Sequence, residues 1–229
     1  MKKNTMMRLA SVLLVAVLLT TCTISGTFAK YVTDATSEDT ARVAKWGVVI
    51  TAATNTMFDT EYDVGATEMT VKLDTTYGEN NLVAPGTSGT LTDMQLSGKP
   101  EVAVSVTYEA TVELSGWTID NDEDYCPIVF TVEGETYGIE GTGATKTFAD
   151  SAALAAGIKT AIEDTAKEYA VNTDLSTVAT DAPSISWNWA FEAADGTTYQ
   201  SNDKDTKLGD LQTLPTISIV IKTTVSQID

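Results

Sequence analysis

The sequence predicts a mainly β protein, an antiparallel jelly-roll-like β-sandwich with one inserted amphipathic helix over about residues 151–169. Three observations lead to this fold class. Several segments place apolar residues at every second position with polar residues between them, as in strands that bury one face. Turn-forming residues separate these segments, and a single segment follows a helical spacing instead.

The first strands are predicted at residues 45–51 and 69–73, and a third at 89–96. Between the second and the third of these strands, Pro85 fixes its own φ at about −65°, while Gly86 and Gly89 are able to take a positive φ. The turn motif therefore consists of Pro85, Gly86 and Gly89. The apolar residues expected on the buried face of the first two strands are Trp46, Val48, Ile50, Met69, Val71 and Leu73.

The strongest alternation in the chain lies between Val102 and Leu114. A helix would spread its apolar residues around the whole circumference, whereas a strand places them all on one face. We therefore predict a long, half-buried strand. The residues of its apolar face are Val102, Val104, Val106, Tyr108, Ala110, Val112 and Leu114.

Four later segments continue the β pattern. Residues 128–132 and 136–139 predict a hairpin across Glu133–Glu135, and residues 185–191 and 217–225 predict further strands. Aromatic side chains on one face of the 185–191 strand suit either the core or a sugar-binding platform, and the alignment favours the core. The apolar residues of the last two strands are Ile185, Trp187, Trp189, Phe191, Ile217, Ile219, Ile221 and Val225.

The exception to alternation runs from Asp150 to Ala170, where Leu154, Ile158 and Ile162 recur at helical spacing. Either Asp150 or the next residue, Ser151, is able to cap the start of this helix.

The chain opens with the three parts of an export signal, a basic start, an apolar run over residues 9–19 and small residues up to Ala29. The run is shorter than the about 20 residues that span a bilayer. We expect cleavage between Ala29 and Lys30, with lipidation of Cys22 in a weak lipobox as the competing route. The predicted organisation is a signal peptide (1–29), an extended N-terminal arm (30–41) and a single β-sandwich domain (42–229).

Composition excludes several classes of chemistry. The formal charge of −18 disfavours nucleic acid and anionic lipid as partners, and we expect no membrane association after cleavage. The absence of histidine removes Ser-His-Asp and Cys-His catalysis and the common zinc sites of metalloproteases. Removal of Cys22 would leave Cys126 as the only cysteine, which we expect to be a buried apolar residue.

Clustered carboxylates are the remaining candidates for a site. Two acidic stretches, residues 120–124 and 202–205, suit either a calcium ion or, more simply, a solvated turn. The first does not fit the EF-hand pattern, because Tyr125 and Thr131 stand where that loop needs glycine and glutamate, and the second is an equally weak candidate. No firm metal site follows. The weak calcium candidates are Asp120, Asp122, Asp124, Asp203 and Asp205.

Several short motifs, in order along nearly the whole chain, together resemble the TasA/camelysin family of secreted proteins of Gram-positive bacteria. Each motif is unspecific alone, and the match rests on their order and spacing. They are SGTFAKY (25–31), ARVAKWG (41–47), VAPGTSG (83–89), WNWAF (187–191), DTKLG (205–209) and VSQID (225–229).

The resemblance implies a subunit of biofilm-matrix fibres that is processed by a dedicated signal peptidase. The family polymerises when the freed N-terminal arm of one subunit enters the sheet of the next, so Lys30, Tyr31 and Val32 would begin that arm. A strand edge has unpaired N–H and C=O groups that an added strand satisfies. The implied partners are further copies of the chain and other matrix proteins, in the extracellular matrix or at the cell surface.

Three other functions are weighed against the fibre subunit. A monomeric cell-surface adhesin or a calcium-dependent binding module would fit the same exported sandwich. A carboxylate enzyme such as a glycosidase needs two carboxylates about 5 to 9 Å apart in a cleft, a spacing that the sequence leaves open. Camelysin is described as a metalloprotease, but the chain lacks the histidine ligands of such enzymes. We therefore expect a structural protein rather than an enzyme, with no cofactor other than calcium.

Overall fold

The computed structural model describes residues 7–8, 10–16, 41–51, 57–64, 69–76, 78, 81–91, 95–178, 183–192 and 199–228. The chain divides into two units, Met1–Arg42 and Val43–Asp229. In the first unit, residues 10–16 form helix α1. No helix among the described residues has the length and hydropathy needed to cross a bilayer.

The second unit consists mainly of strands. The strands are β1 (Val49–Thr51), β2 (Glu61–Val64), β3 (Met69–Lys72), β4 (Ser88–Leu91), β5 (Gln95–Ser97), β6 (Val104–Ser115), β7 (Thr118–Ile119), β8 (Glu123–Asp124), β9 (Val129–Val132), β10 (Glu135–Ile139), β11 (Lys146–Phe148), β12 (Lys167–Tyr169), β13 (Ile185–Asn188) and β14 (Thr216–Gln227). The helices are α2 (Ser151–Glu163) and α3 (Asn202–Gly209).

The described strands pair into two larger sheets and three short ribbons. The five-stranded sheet has the order β11-β10-β9-β13-β4, and the three-stranded sheet has the order β12-β6-β14. The ribbons are β1-β5, β2-β3 and β7-β8. The β10–β11 pair is parallel, and every other pair is antiparallel. The prediction of a mainly β fold is confirmed, and the predicted antiparallel pairing holds for every pair except β10–β11.

The core lies where α2 packs on β6 and on β9, β10 and β11, so the helix joins the two larger sheets. Leu154, Ile158 and Ile162 are fully buried and lie on one face of α2 because residues four apart are neighbours on a helix. From β6, Val104 and Val106 are equally buried, as the alternation predicts. The Asp150 carboxylate caps the helix by accepting from Ala153 N at 2.7 Å, which confirms one of the two predicted caps.

The hairpin between β9 and β10 is also confirmed. Glu135 pairs with Val132, so the connection consists of Glu133 and Gly134. Both residues have positive φ, 49° and 84°, as a two-residue turn between twisted strands requires.

The predicted helix over residues 151–169 is too long. It ends at Glu163, and Lys167–Tyr169 form β12, which pairs with Val104–Val106 of β6. Tyr169 is buried, but on a strand. Pairing with the neighbouring sheet outweighs the helix propensity of this stretch, as tertiary contacts commonly do.

Three predictions about individual strands are wrong. Residues 89–96 do not form one strand, since β4 joins the five-stranded sheet and β5 pairs with β1. Trp46 and Ile50 are 42% exposed, so only Val48 of the predicted buried face of the first strand packs against the core. Phe191 is 63% exposed because β13 ends at Asn188, three residues earlier. Trp187 and Trp189 are buried, as expected.

Candidate functional site

The most distinctive surface is the side of β14 that faces away from β6, called here the outer edge of β14. Strand β14 has 12 residues and pairs with β6 over its whole length, from Thr216 opposite Ser115 to Gln227 opposite Val104. Within the part of the chain that the structure describes, β6 is its single strand partner. An edge of this length offers a template on which another strand can pair.

The hydrogen-bond pattern shows which backbone groups point to the outer edge. Ile228 N donates to Ala103 O at 3.1 Å, directly across the end of the ladder. Because hydrogen-bonded pairs alternate along an antiparallel ladder, the even-numbered residues of β14 bond to β6. The N–H and C=O groups of Ile217, Ile219 and Ile221 therefore point to the outer edge.

The opposite side of β6 is closed by the fold. Strand β12 pairs with Val104–Val106, and beyond it Ala110 N donates to Glu163 Oε1 of α2 at 3.1 Å. Glu163 is also paired with Lys159 one turn earlier, and the hydrogen bond from Lys159 lowers the pKa of its carboxyl group. A strand and a helix side chain thus satisfy this side of β6 at Val104–Val106 and at Ala110.

The inward apolar side chains at the start of β14 are incompletely covered. Opposite one another lie Ile219 and Val112, which are both half-buried, and Ile221 and Ala110. Ala110 is buried at 2% exposure, whereas Ile221 is half-buried. Apolar area next to the outer edge therefore remains in contact with water, and covering it would be favourable by about 25 cal/mol per Å².

A groove of about 450 Å³ begins where β14 begins. Two contacts fix its walls. Asn81 Nδ2 donates to Phe58 O at 2.7 Å, and Trp117 Nε1 donates to Thr216 O at 3.1 Å. The groove is thus lined by apolar and polar residues in equal number, beside the start of the outer edge. Its lining residues are Phe58, Asn81, Val83, Thr216, Ile217 and Ser218.

The predicted turn motif forms a turn beside this groove. Thr87 N donates to Ala84 O at 3.0 Å, with Pro85 and Gly86 between them and a φ of 84° at Gly86. This is the arrangement of a type II turn and confirms the roles predicted for Pro85 and Gly86. Gly86 N and Thr87 O bond to the backbone of Trp189, which joins the turn to the chain beyond β13.

The role predicted for Gly89 is wrong. Its φ is not positive, and the position requires glycine because a Cβ there would lie 1.9 Å from Met57 O. That carbonyl accepts the indole N–H of Trp187 at 2.8 Å, and Phe58 stacks on the same indole ring at 5.5 Å. Close packing around Trp187 therefore holds residues 57 and 58, one of which lines the groove.

The predicted cleavage position, Ala29 and Lys30, and the start of the arm, Lys30, Tyr31 and Val32, lie outside the described residues. Cleavage and arm exchange therefore stay predictions.

Three of the five calcium candidates bond to other groups of the protein. Asp120 forms an ion pair with Lys207 at 2.9 Å, and Asp124 accepts from Ser151 N at 3.1 Å and from Ser151 Oγ at 2.7 Å. Asp205 accepts from Tyr125 OH at 2.5 Å.

The other two, Asp122 and Asp203, are exposed on the surface. Among the described residues, no group of three or more metal-binding side chains converges. The acidic loop 120–124 and α3 do come together, through Lys207 and through Lys204, which pairs with Glu123 at 2.7 Å.

A buried polar network links this acidic loop to α3. Tyr125 is fully buried, and the Lys204 ammonium lies over the rings of Tyr125 and Tyr199 at 5.4 and 5.5 Å. Burial raises the pKa values of both tyrosines and of Asp205, whereas the bond from Tyr125 lowers that of Asp205. Cys126 is buried as predicted, and burial raises its thiol pKa to about 12, so it is a poor nucleophile.

Sequence reasoning missed α3, because its acidic residues suggested a calcium loop. The signal was present: Ser201 precedes the helix and accepts from Lys204 N at 3.3 Å. Asp203 and Asp205 follow in the first turn and Lys207 in the last, which is the charge order that a helix dipole favours.

No family model, curated protein or solved structure matches the chain.

Proposed function

We propose that the protein is a secreted structural subunit of an extracellular, biofilm-matrix fibre. Signal cleavage between Ala29 and Lys30 frees the arm, residues 30–41. The arm of one subunit then pairs as an added strand with the outer edge of β14 in the next. In this proposal the second unit is a jelly-roll-like sandwich, its main partner is another copy of the chain, and it carries out no catalysis.

The observation that carries the proposal is the outer edge of β14. It combines outward N–H and C=O groups with an apolar row, Ile217, Ile219 and Ile221, that is only half-buried. An added strand would form hydrogen bonds with the outward N–H and C=O groups and would cover the half-buried isoleucine side chains. A fold that used β14 only internally would gain stability by covering its edge, as it does on the other side of β6.

The dimensions of the two segments also support the proposal. The arm has as many residues as β14, whose length is 12. Fully extended, such a segment spans about 40 Å. Tyr31, Val32 and Thr33 at its start are residues that favour strands, and the arm contains no proline that would interrupt a ladder.

The experiment compares the processed protein, exported from the full chain, with a variant that lacks residues 31–40. Lys30 and Ala41 are kept so that the cleavage position retains its first residue. We expect electron microscopy to show fibres for the parent and dispersed particles for the variant. Thermal unfolding should give similar Tm values, because the deletion leaves the second unit intact.

Fibres from the shortened variant would overturn arm exchange. A parent that stays dispersed at high concentration would overturn the fibre function itself. If the dispersed parent were also stabilised by millimolar calcium, a calcium-dependent binding module would become the better account of its function.

A further inference from the structure

The start of the second unit places large apolar side chains in water. Val43 is 92% exposed, Trp46 42%, Val49 55% and Ile50 42%. Strand β1 is exposed on both of its faces, since all three of its residues are exposed. These four residues are called here the β1 patch.

The backbone under the β1 patch is held by several bonds. Strand β1 pairs with β5 from Val49 opposite Ser97 to Thr51 opposite Gln95. Lys45 N donates to Glu101 Oε2 at 2.8 Å, and Glu101 N donates to Lys45 O at 2.9 Å. The patch is therefore a fixed surface of the fold.

Close approach of two glycines adds to this attachment. A Cβ at Gly98 would lie 1.7 Å from Gly47 O. The two segments of the chain therefore approach so closely at this point that only glycine fits at position 98. The backbone bonds and this contact together set where Trp46, Val49 and Ile50 lie.

Such a cluster is unusual on a surface that stays in water. Single exposed apolar residues are common, but groups of them mark interaction sites. Among the described residues of the second unit, eight large apolar side chains are exposed, and four of them lie between residues 43 and 50. Residues 46–51 carry no charge or proline, the usual protections of an outer strand against unwanted pairing.

The neighbour in the chain identifies what would cover the patch. The arm ends at Ala41, and the β1 patch begins two residues later at Val43. Two residues span at most about 7 Å, so a subunit that holds the arm up to Ala41 must lie beside Val43, the first residue of the patch. A chain with a formal charge of −18 repels its copies, and an uncharged apolar surface is where such copies can touch most favourably.

We propose that the β1 patch is a second part of the fibre interface, packed against the subunit that receives the arm. This inference rests on the proposed function, and it adds a contact between folded surfaces to the exchange of a strand. The arm supplies backbone pairing, and the patch supplies apolar burial that orients one subunit on the next.

Trp46 allows a direct test. The protein has four tryptophans, and the other three, Trp117, Trp187 and Trp189, are at most 5% exposed. Acrylamide quenching of the processed protein therefore reports mainly on Trp46, and Trp46→Phe provides the background of the buried three. We expect quenching of the Trp46 signal to fall several-fold when monomers become fibres, with a shift of its emission to shorter wavelength.

A double variant, Val49→Thr with Ile50→Thr, tests the energetic contribution. Threonine keeps the β-branched shape, and both side chains are already in water, so the Tm of the monomer should stay within a few degrees of the parent. The concentration needed for fibre formation should rise about tenfold, because less apolar area is buried between subunits. The control is Phe191→Ser, an exposed apolar residue that is not part of the patch and should leave this concentration unchanged.

The outcomes separate this inference from the proposed function. Fibres in which Trp46 is quenched as strongly as in monomers would overturn the patch contact and leave arm exchange standing. If the double variant formed fibres at the same protein concentration as the parent, the patch contact would be overturned as well. Absence of fibres from the parent would overturn the proposed function and this inference together.

Discussion

At the residue scale, the surroundings of Trp187 show how one close approach organises a surface. Trp187 Nε1 bonds to Met57 O, and Gly89 leaves the space in which that carbonyl lies. The chain beside Met57 supplies Phe58, which lines the groove at the start of β14. A small residue inside the fold thus determines the shape of the candidate assembly surface.

Gly89→Ala should destabilise the protein by at least about 2 kcal/mol, because the new methyl group would displace Met57 O and break its bond with Trp187. Urea unfolding followed by tryptophan fluorescence measures this loss. The control is Gly209→Ala at the end of α3, where a Cβ meets no atom within 4 Å. That change should be neutral or stabilise by up to about 1 kcal/mol. Equal effects of the two substitutions would contradict the packing argument.

Asp205 should make stability depend on pH in an unusual direction. Burial raises its pKa in the folded protein, so the folded state holds a proton that the unfolded chain releases near pH 4. The contribution of Asp205 to the stability of the folded protein therefore becomes less favourable as pH rises from 4 through the raised pKa. The free energy of unfolding of the parent minus that of Asp205→Asn should fall over this interval in urea titrations. A difference that grows with pH would show that the bond from Tyr125 outweighs burial.

At the element scale, the helices and strands show which features local sequence reveals. The alternation of β6 and β14 and the spacing of α2 are visible because burial of one face imposes them directly. The β12 strand, the parallel β10–β11 pair and the split between β4 and β5 depend on which strands become neighbours. Local patterns carry no such information. For the same reason the sequence predicts Ile217, Ile219 and Ile221 as one face but not that β14 lies at an edge.

Helix α2 is held at its start by two carboxylates, and one of them was a calcium candidate. Asp124 accepts from both Ser151 N and Ser151 Oγ, at the positive end of the helix dipole. Asp124→Ala should therefore cost about 1 to 3 kcal/mol in urea unfolding, with or without calcium. Asp203→Ala, which alters an exposed calcium candidate, should cost less. A loss that appears for both variants only when calcium is present would restore the calcium site.

Strand β14 offers a substitution that separates its two edges. Ile219→Pro removes an N–H that points to the outer edge and leaves the ladder with β6 in place, a position where proline is tolerated. The processed variant should remain folded by circular dichroism but fail to form fibres in light-scattering assays. Ile219→Thr is the matched control, since it loses the same apolar side chain but keeps the N–H group. It should assemble, although at higher concentration. Equal assembly of the two variants would mean that the outer edge does not pair.

At the scale of the whole molecule, acidic charge and apolar assembly surfaces have complementary effects. A formal charge of −18 keeps copies apart at random orientations, whereas the outer edge of β14 and the β1 patch provide contacts through backbone groups and apolar side chains. Assembly in this account is thus restricted to one relative arrangement and begins only after the arm is released. Composition alone predicts the acidic surface and excludes histidine chemistry, but the edge and the patch emerge only when the strands are placed in order.

Residue-resolved amide hydrogen exchange on monomers and fibres tests the central claim most directly. The N–H groups of Ile217, Ile219 and Ile221 should exchange quickly in monomers and at least about tenfold more slowly in fibres, because an added strand bonds to them. The alternate residues Ser218 and Val220, whose N–H groups already bond to β6, should be protected in both states. Fibres in which Ile217, Ile219 and Ile221 exchange as quickly as in monomers would contradict strand addition at β14.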